Sequence, residues 1–341
     1  MLEINKIGRF DGRDILEAHL QHGNQRVTIM NYGCVIRDWQ VACTGGVRHV
    51  VLGFNNFEPY PEHSPSFGII AGRVANRTAL GRFTLDGQEY QLDCNNGKNH
   101  LHGGAKGFGK SVWNMQVDTS ANAVLLKYLS THNEQGYPGN VDFGVKFSLD
   151  AKGLHCLMQG SPDRPTPINL TQHNYYNLDG VGGRAGSIRK HSLQIDAEAF
   201  LPVDDELIPL GEINNVKGSR FDFLQMRTIE DSDPQQLGHD HNLVLCADRV
   251  ASEAAATLRS SDAELSLELF TDQPGIQLYT GKKLDVAVAG HNGAQFSTFG
   301  GVCLEPQGFP DALNNPHWPS VIVTPEQAYK QNLTMRITGR S

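Results

Sequence analysis

The chain has 341 residues, of which 39 % are hydrophobic and 19 % charged, an ordinary balance for a globular protein that buries a large core. Its formal net charge is −8 and it carries no run of Lys and Arg, which excludes nucleic acid as the main partner, because holding phosphates takes a concentrated basic face. No stretch approaches the ~20 apolar residues of a membrane span.

The first 19 residues are charged throughout and lack the apolar stretch of a signal peptide, so the expected compartment is the cytoplasm. In chain order, strand-like apolar or alternating runs fall at 27–30, 123–129, 145–149, 193–195, 264–270, 275–279 and 334–337. Between RFTL and QEYQL, Asp86-Gly87 is the two-residue turn of a β-hairpin. Only 57–60 and 227–237 suggest helix, a turn or two each. With 36 glycines and 16 prolines punctuating the runs, the pattern predicts an all-β fold, a large antiparallel β-sandwich or barrel, as one domain over 1–341. Six cysteines, Cys34, Cys43, Cys94, Cys156, Cys246 and Cys303, form no CxxC pair and read as small buried hydrophobes.

Several polar segments could carry chemistry. GRVANR (72–77) offers Arg73, Asn76 and Arg77, and a guanidinium fork can hold vicinal hydroxyls, although single arginines are commonly salt-bridge partners. In NHLHGG (99–104), His100 and His102 share a face if the segment is extended. Tyr137-Pro138-Gly139 has the residue order of a type II turn. In NLTQHNYYNLDG (169–180), Asn169, Thr171, His173, Tyr175 and Asn177 alternate, so one strand would aim all five at a ligand rich in hydroxyls, or equally at solvent. His239-Asp240-His241 adds a second H-x-H pair, which together with the first could build a metal centre, though the spacing is unspecific. After the apolar run Val302-Cys303-Leu304 stands Glu305, where desolvation would raise its pKa into the range of a general base unless an arginine pairs with it.

Eight strings occur in a fixed order: GRVANR (72–77), LHGG (101–104), GYPGN (136–140), NLTQHNYYNLDG (169–180), LPVDDELIP (201–209), GHDHN (238–242), PGIQLYTG (274–281) and LEPQGFPDALNNP (304–316). Together they resemble the aldose 1-epimerase (galactose mutarotase) family over about residues 20–340. The resemblance implies a supersandwich with a sugar pocket and an enzyme that interconverts the anomers of a free aldose such as D-galactose or D-glucose. It implies Glu305 as general base, His173 as general acid and His102 as a second histidine beside the ring oxygen. Asn76, Arg77, Tyr175, Asp240 and Gln277 would hold sugar hydroxyls, with Arg73 only a neighbour of the site. No cofactor or metal is implied, and the partner is the small sugar itself, bound by a monomer or homodimer. Leu210, Gln172, Asn174 and Lys282 depart from the family pattern and bear on sugar preference. Two other readings are a non-catalytic carbohydrate-binding sandwich and a glycoside hydrolase using Glu305 and Asp240 as paired carboxylates.

Overall fold

The computed structural model describes residues 2–182, 186–250 and 252–339. Its largest element is a nine-stranded antiparallel sheet in the order Asn114–Asp118, Ala123–Ser130, Val141–Asp150, Gly153–Pro162, Tyr329–Gly339, Leu265–Thr271, Ala256–Arg259, Ser192–Ile195 and Arg227–Thr228. The middle strands alternate strictly. In VDFGVKFSLD, Val141, Phe143, Val145, Phe147 and Leu149 are buried while the residues between them are not. A period of two puts one apolar face on the core and leaves the other wet.

Two five-stranded antiparallel sheets cover that apolar face. One is formed by the N-terminal strands from Ile4–Phe10 to Gly46–His49. The other runs Asn214–Asn215, Ala197–Phe200, Asp240–Leu245, Gly275–Tyr279 and Cys303–Gln307. Their inner side chains, among them Ile29, Trp39, Leu243, Ile276, Leu278 and Leu304, join Val145, Phe147 and Met335 in one buried cluster. The expected antiparallel sandwich is therefore the observed architecture. Because Ile276, Leu278 and Leu304 point into that cluster, their neighbours Gln277, Tyr279 and Glu305 must point to the opposite face of the same sheet.

The hairpin forms as read: Leu85 pairs with Gln88, and Asp86 and Gly87 adopt φ of 52° and 78°, the left-handed pair that a two-residue turn needs. The runs at 27–30, 123–129, 145–149, 193–195, 275–279 and 334–337 lie within strands, and the 264–270 run forms Leu265–Thr271. Both helical segments are single turns, shifted from the expected bounds to Tyr60–His63 and Ile229–Ser232. Pro61 is accommodated because the first turn needs no donor at that position. The second turn is capped by Thr228, whose hydroxyl accepts from the Asp231 amide.

Two expectations need correction. Residues 169–180 are not one strand: only Thr171–His173 forms a ladder, with Ile69–Ala71, while Asn169 bridges to Val74 and Tyr176 to Val51 and Val302. The segment threads between layers and changes partner as it goes, so period-two alternation does not aim every second side chain at one ligand. All six cysteines are unpaired, but Cys94 is exposed and Cys43 and Cys246 are only partly buried; Cys34, Cys156 and Cys303 are the buried ones.

Candidate active site

Three adjacent strands supply the floor. Register places Asn242, Gln277 and Glu305 side by side, and Asp240, Tyr279 and Cys303 one pair further along the same face. Gln277 Nε2 donates to Asp240 Oδ1 at 2.7 Å. Glu305 is 2 % exposed, and its Oε2 has no hydrogen-bond partner. Its Oε1 lies 3.6 Å from His173 Nε2, close enough for charge to be felt and too long for a hydrogen bond.

His173 ends the short strand Thr171–His173, and its ring stacks on Tyr175 at 5.2 Å between centroids. His102 packs edge-on against it, also at 5.2 Å. The strand His100–Leu101 stops just before His102, which turns to φ 52°. Gly103 follows at φ 88°, where an added Cβ would sit 1.7 Å from the Gly72 carbonyl oxygen, so only glycine fits. The Asn76 amide donates to His102 Nδ1 at 3.1 Å. Nδ1 is therefore the acceptor, and the neutral ring carries its proton on Nε2. Asn76, itself at φ 60°, accepts the Arg77 amide on Oδ1 at 2.8 Å, and Arg77 Nε donates to Asn96 Oδ1 at 3.1 Å.

One cavity of about 280 Å³ is lined by all eight residues singled out from the sequence: Asn76, Arg77, His102, His173, Tyr175, Asp240, Gln277 and Glu305. Ser66, Leu101, Tyr279 and Lys283 also line it and were not anticipated. Tyr279 had a legible signal, since it stands two residues from Gln277 on a strand and so shares its face. Ser66 and Lys283 come from loops, where no periodicity applies.

Burial dominates the electrostatics. It drives the Glu305 pKa well above the ordinary carboxylate range, the charge of Asp240 adds to the rise, and Arg77 opposes it. Asp240 is also raised by desolvation, against Arg77, the Gln277 hydrogen bond and Lys283. His173 is pushed down to about 4 by burial, and His102 well below its usual value by burial and then by the neighbouring His173 and Arg77. A site this dry disfavours the imidazolium form of His173, the form from which a general acid donates.

Other candidates lie elsewhere. His100 faces away from the cavity, donating through Nδ1 to the Asp93 carbonyl and accepting from the Tyr137 hydroxyl at Nε2, both at 2.6 Å. Arg73 is 1 % exposed and donates to the carbonyls of Pro138 and Gly139 and to Thr166 Oγ1, which makes it a buried brace for the turn at 137–139. Asn169 and Thr171 tie to the backbone at Gly308 and Pro306, and Asn177 to Gly300, so they hold the Glu305 strand rather than a ligand. His239 faces Phe221 and Phe223, and His241 faces Phe221. Among the described residues, the close groups of metal-binding type are Asp38, His49 and His291, and His173, Cys303 and Glu305; the two H-x-H pairs do not converge. Of the four departures, Gln172 and Asn174 bond to each other on the core side, Leu210 is exposed, and the Lys282 ammonium lies 5.4 Å from the Phe299 ring centroid.

Comparison with known proteins identifies the family. The Aldose 1-epimerase family profile matches residues 17–336. Galactose mutarotase of Bos taurus is 42 % identical over 315 residues, covering 91 % of this chain and 90 % of that protein. Aldose 1-epimerase of Haemophilus influenzae is 34 % identical, covering 93 % and 94 %. Among solved structures, an aldose epimerase homologue from C. elegans superposes with a TM-score of 0.88 at 26 % identity, covering 95 % of this chain and all of that one. Galactose 1-epimerase from Lactobacillus acidophilus gives 0.85 at 26 % identity, covering 100 % and 99 %. The chain belongs to the aldose 1-epimerase family.

Proposed function

We propose that this chain is an aldose 1-epimerase that interconverts the α and β anomers of a free aldose such as D-galactose or D-glucose, with Glu305 and His173 as its proton-transfer pair. The observation that carries the reading is their 3.6 Å approach on the floor of a buried polar cavity. Anomer exchange requires a proton to leave the C1 hydroxyl while another reaches the ring oxygen. The C1–O5 bond then opens, C1–C2 rotates, and closure on the other face of the carbonyl gives the second anomer. Each well-placed proton-transfer group contributes about 10²–10⁴-fold.

The pair needs one proton between its two members. Burial by itself favours that proton on Glu305 and a neutral His173. Sugar hydroxyls donating to Glu305 favour its carboxylate, and the proton then moves to His173, which delivers it to O5. Glu305 takes the C1 hydroxyl proton, and on ring closure the two exchange roles, so each turnover restores the pair without a cofactor. His102 offers its Nε2–H to a sugar oxygen. Asn76, Arg77, Asp240, Gln277 and Tyr175 hold the remaining hydroxyls.

The six unpaired cysteines suit the reducing cytoplasm, and no helix among the described residues is long and apolar enough to cross a membrane. The chain is read as one domain, acting as a monomer or in a homodimer. The test is polarimetry with freshly dissolved α-D-galactose and α-D-glucose, alongside an aryl glycoside. The expected result is accelerated mutarotation with no aryl alcohol released. Aryl alcohol release would favour the hydrolase, and sugar binding with neither reaction would favour a binding module.

A further inference from the structure

Cys303 has no part in proton transfer, yet it lies two residues from Glu305 on the same face of the same strand, fully buried. One ligand atom each from His173, Cys303 and Glu305 lie within 4.8 Å of one another. We propose that the floor of the sugar cavity is also a zinc site, in which His173, Cys303 and Glu305 hold a Zn²⁺ ion that blocks the sugar.

The ligand types are those that zinc prefers, imidazole, thiolate and carboxylate. With Zn–N and Zn–O bonds near 2.0–2.1 Å, tetrahedral ligand atoms sit about 3.4 Å apart. His173 Nε2 and Glu305 Oε1 are already 3.6 Å apart. Tetrahedral sulfur sits about 3.5 Å from the nitrogen and oxygen, so bringing it in from within 4.8 Å needs a shift of about 1.3 Å at most, which side-chain rotation supplies. Charge also balances: one thiolate and one carboxylate neutralise the dication, so the buried complex carries no net charge and avoids the cost of an isolated buried ion. As the Zn–S bond forms, the thiol proton leaves to solvent. Three protein ligands leave a fourth position for water, and two of the three, His173 and Glu305, line the cavity. Neither Glu305 Oε2 nor His173 Nδ1 hydrogen-bonds to another protein atom, so no protein hydrogen bond at those atoms has to break.

The other close group, Asp38, His49 and His291, is a closed network by contrast. His49 Nδ1 bonds Asp38 Oδ1 at 2.8 Å, and His291 Nε2 donates to the Arg37 carbonyl at 2.8 Å. Zinc there would have to displace both.

The inhibitory consequence rests on the proposed activity, whereas the binding does not, so the two are measured separately. Equilibrium dialysis of the metal-free protein against Zn²⁺, with and without D-galactose, reads binding; polarimetry reads turnover. The expected result is one zinc per chain, displaced by galactose, and loss of mutarotation on zinc addition that EDTA reverses. C303A should bind zinc about 100-fold more weakly, since even a residue supporting a metal ligand is worth about 10–100-fold, while keeping its mutarotation rate without zinc. H49Q should bind zinc like the parent. No retained zinc, zinc indifferent to galactose, or equal binding by C303A would overturn the proposal. A folded protein that binds zinc as described but leaves fresh sugar untouched would instead overturn the epimerase reading and leave the zinc site standing.

Discussion

Glu305 and His173 divide a single proton, and that sharing sets how the enzyme should respond to substitution and to pH. Glu305→Gln removes the base and His173→Asn the acid, without changing side-chain volume greatly. Each variant is expected to lose at least about 100-fold in kcat while its circular dichroism and melting stay near the parent's. A folded variant turning over at near-normal rate would remove that residue from the mechanism. Catalysis also requires that the pair hold one proton, neither two nor none. Burial sets His173 to about 4, so the acid limb of kcat/KM is expected near that pH, where the neutral imidazole gains a second proton for the pair. The alkaline limb falls where the raised Glu305 finally ionises, well above an ordinary carboxylate. A profile that drops below pH 6.5, as for a free histidine, would contradict the buried-pair description.

At the level of the element, the site depends on where regular structure stops. The loop around His102 exists because Gly103 passes against Gly72 with no room for a side chain. Gly103→Ala is therefore expected to cost about 2–4 kcal/mol, from positive φ and the clash together. Turnover should fall as well, because the Asn76 amide that sets the His102 tautomer crosses the same junction. Gly87→Ala makes the useful contrast. Its φ is 78°, but an added Cβ meets nothing within 4 Å, so a loss of only about 1–2 kcal/mol with unchanged activity is expected. Thermal melts and initial rates of the two variants check both statements. Equal melting temperatures would show that close packing at Gly103 contributes nothing.

Across the whole molecule, the histidines make stability sensitive to acid. His239 is depressed to about 3 and His173 to about 4 by burial, and His100 and His102 are lowered for the same first reason. The unfolded chain takes up these protons near pH 6.5, whereas the folded chain refuses them there, at His239 and His173 until about 3 and about 4. Protons therefore favour unfolding, and stability declines as pH falls from about 6.5 toward about 4. At pH 5.5 His239 and His173, held at about 3 and about 4, each cost about 1.4 kcal/mol. The raised carboxyls of Glu305 and Asp240 act in the opposite sense, losing their destabilising influence as they protonate, so they soften the decline. The expected outcome is a melting temperature that drops between pH 7 and 5; a flat or rising value would show that these rings are not held neutral.

Much of this was legible in the chain because its causes are local. Alternation in 145–149, 275–279 and 334–337 reflects a period of two that any half-buried strand must obey, and Asp86-Gly87 can adopt the positive φ its turn requires. The eight ordered strings marked the family, and with it the eight cavity residues. What spacing by itself could not decide is which of two equally spaced side chains faces the cavity. His100 and His102 are two apart, yet one braces Tyr137 and the other enters the cavity, because the strand ends between them. Asn169, Thr171 and Asn177 share the spacing of His173 and Tyr175, yet they fasten neighbouring backbone. Cys303 shares a strand face with Glu305, but it gained its place beside His173 only when separate segments were brought together. Periodicity sets direction along one strand, whereas convergence of distant strands, and the dryness that moves a pKa, belong to tertiary packing alone.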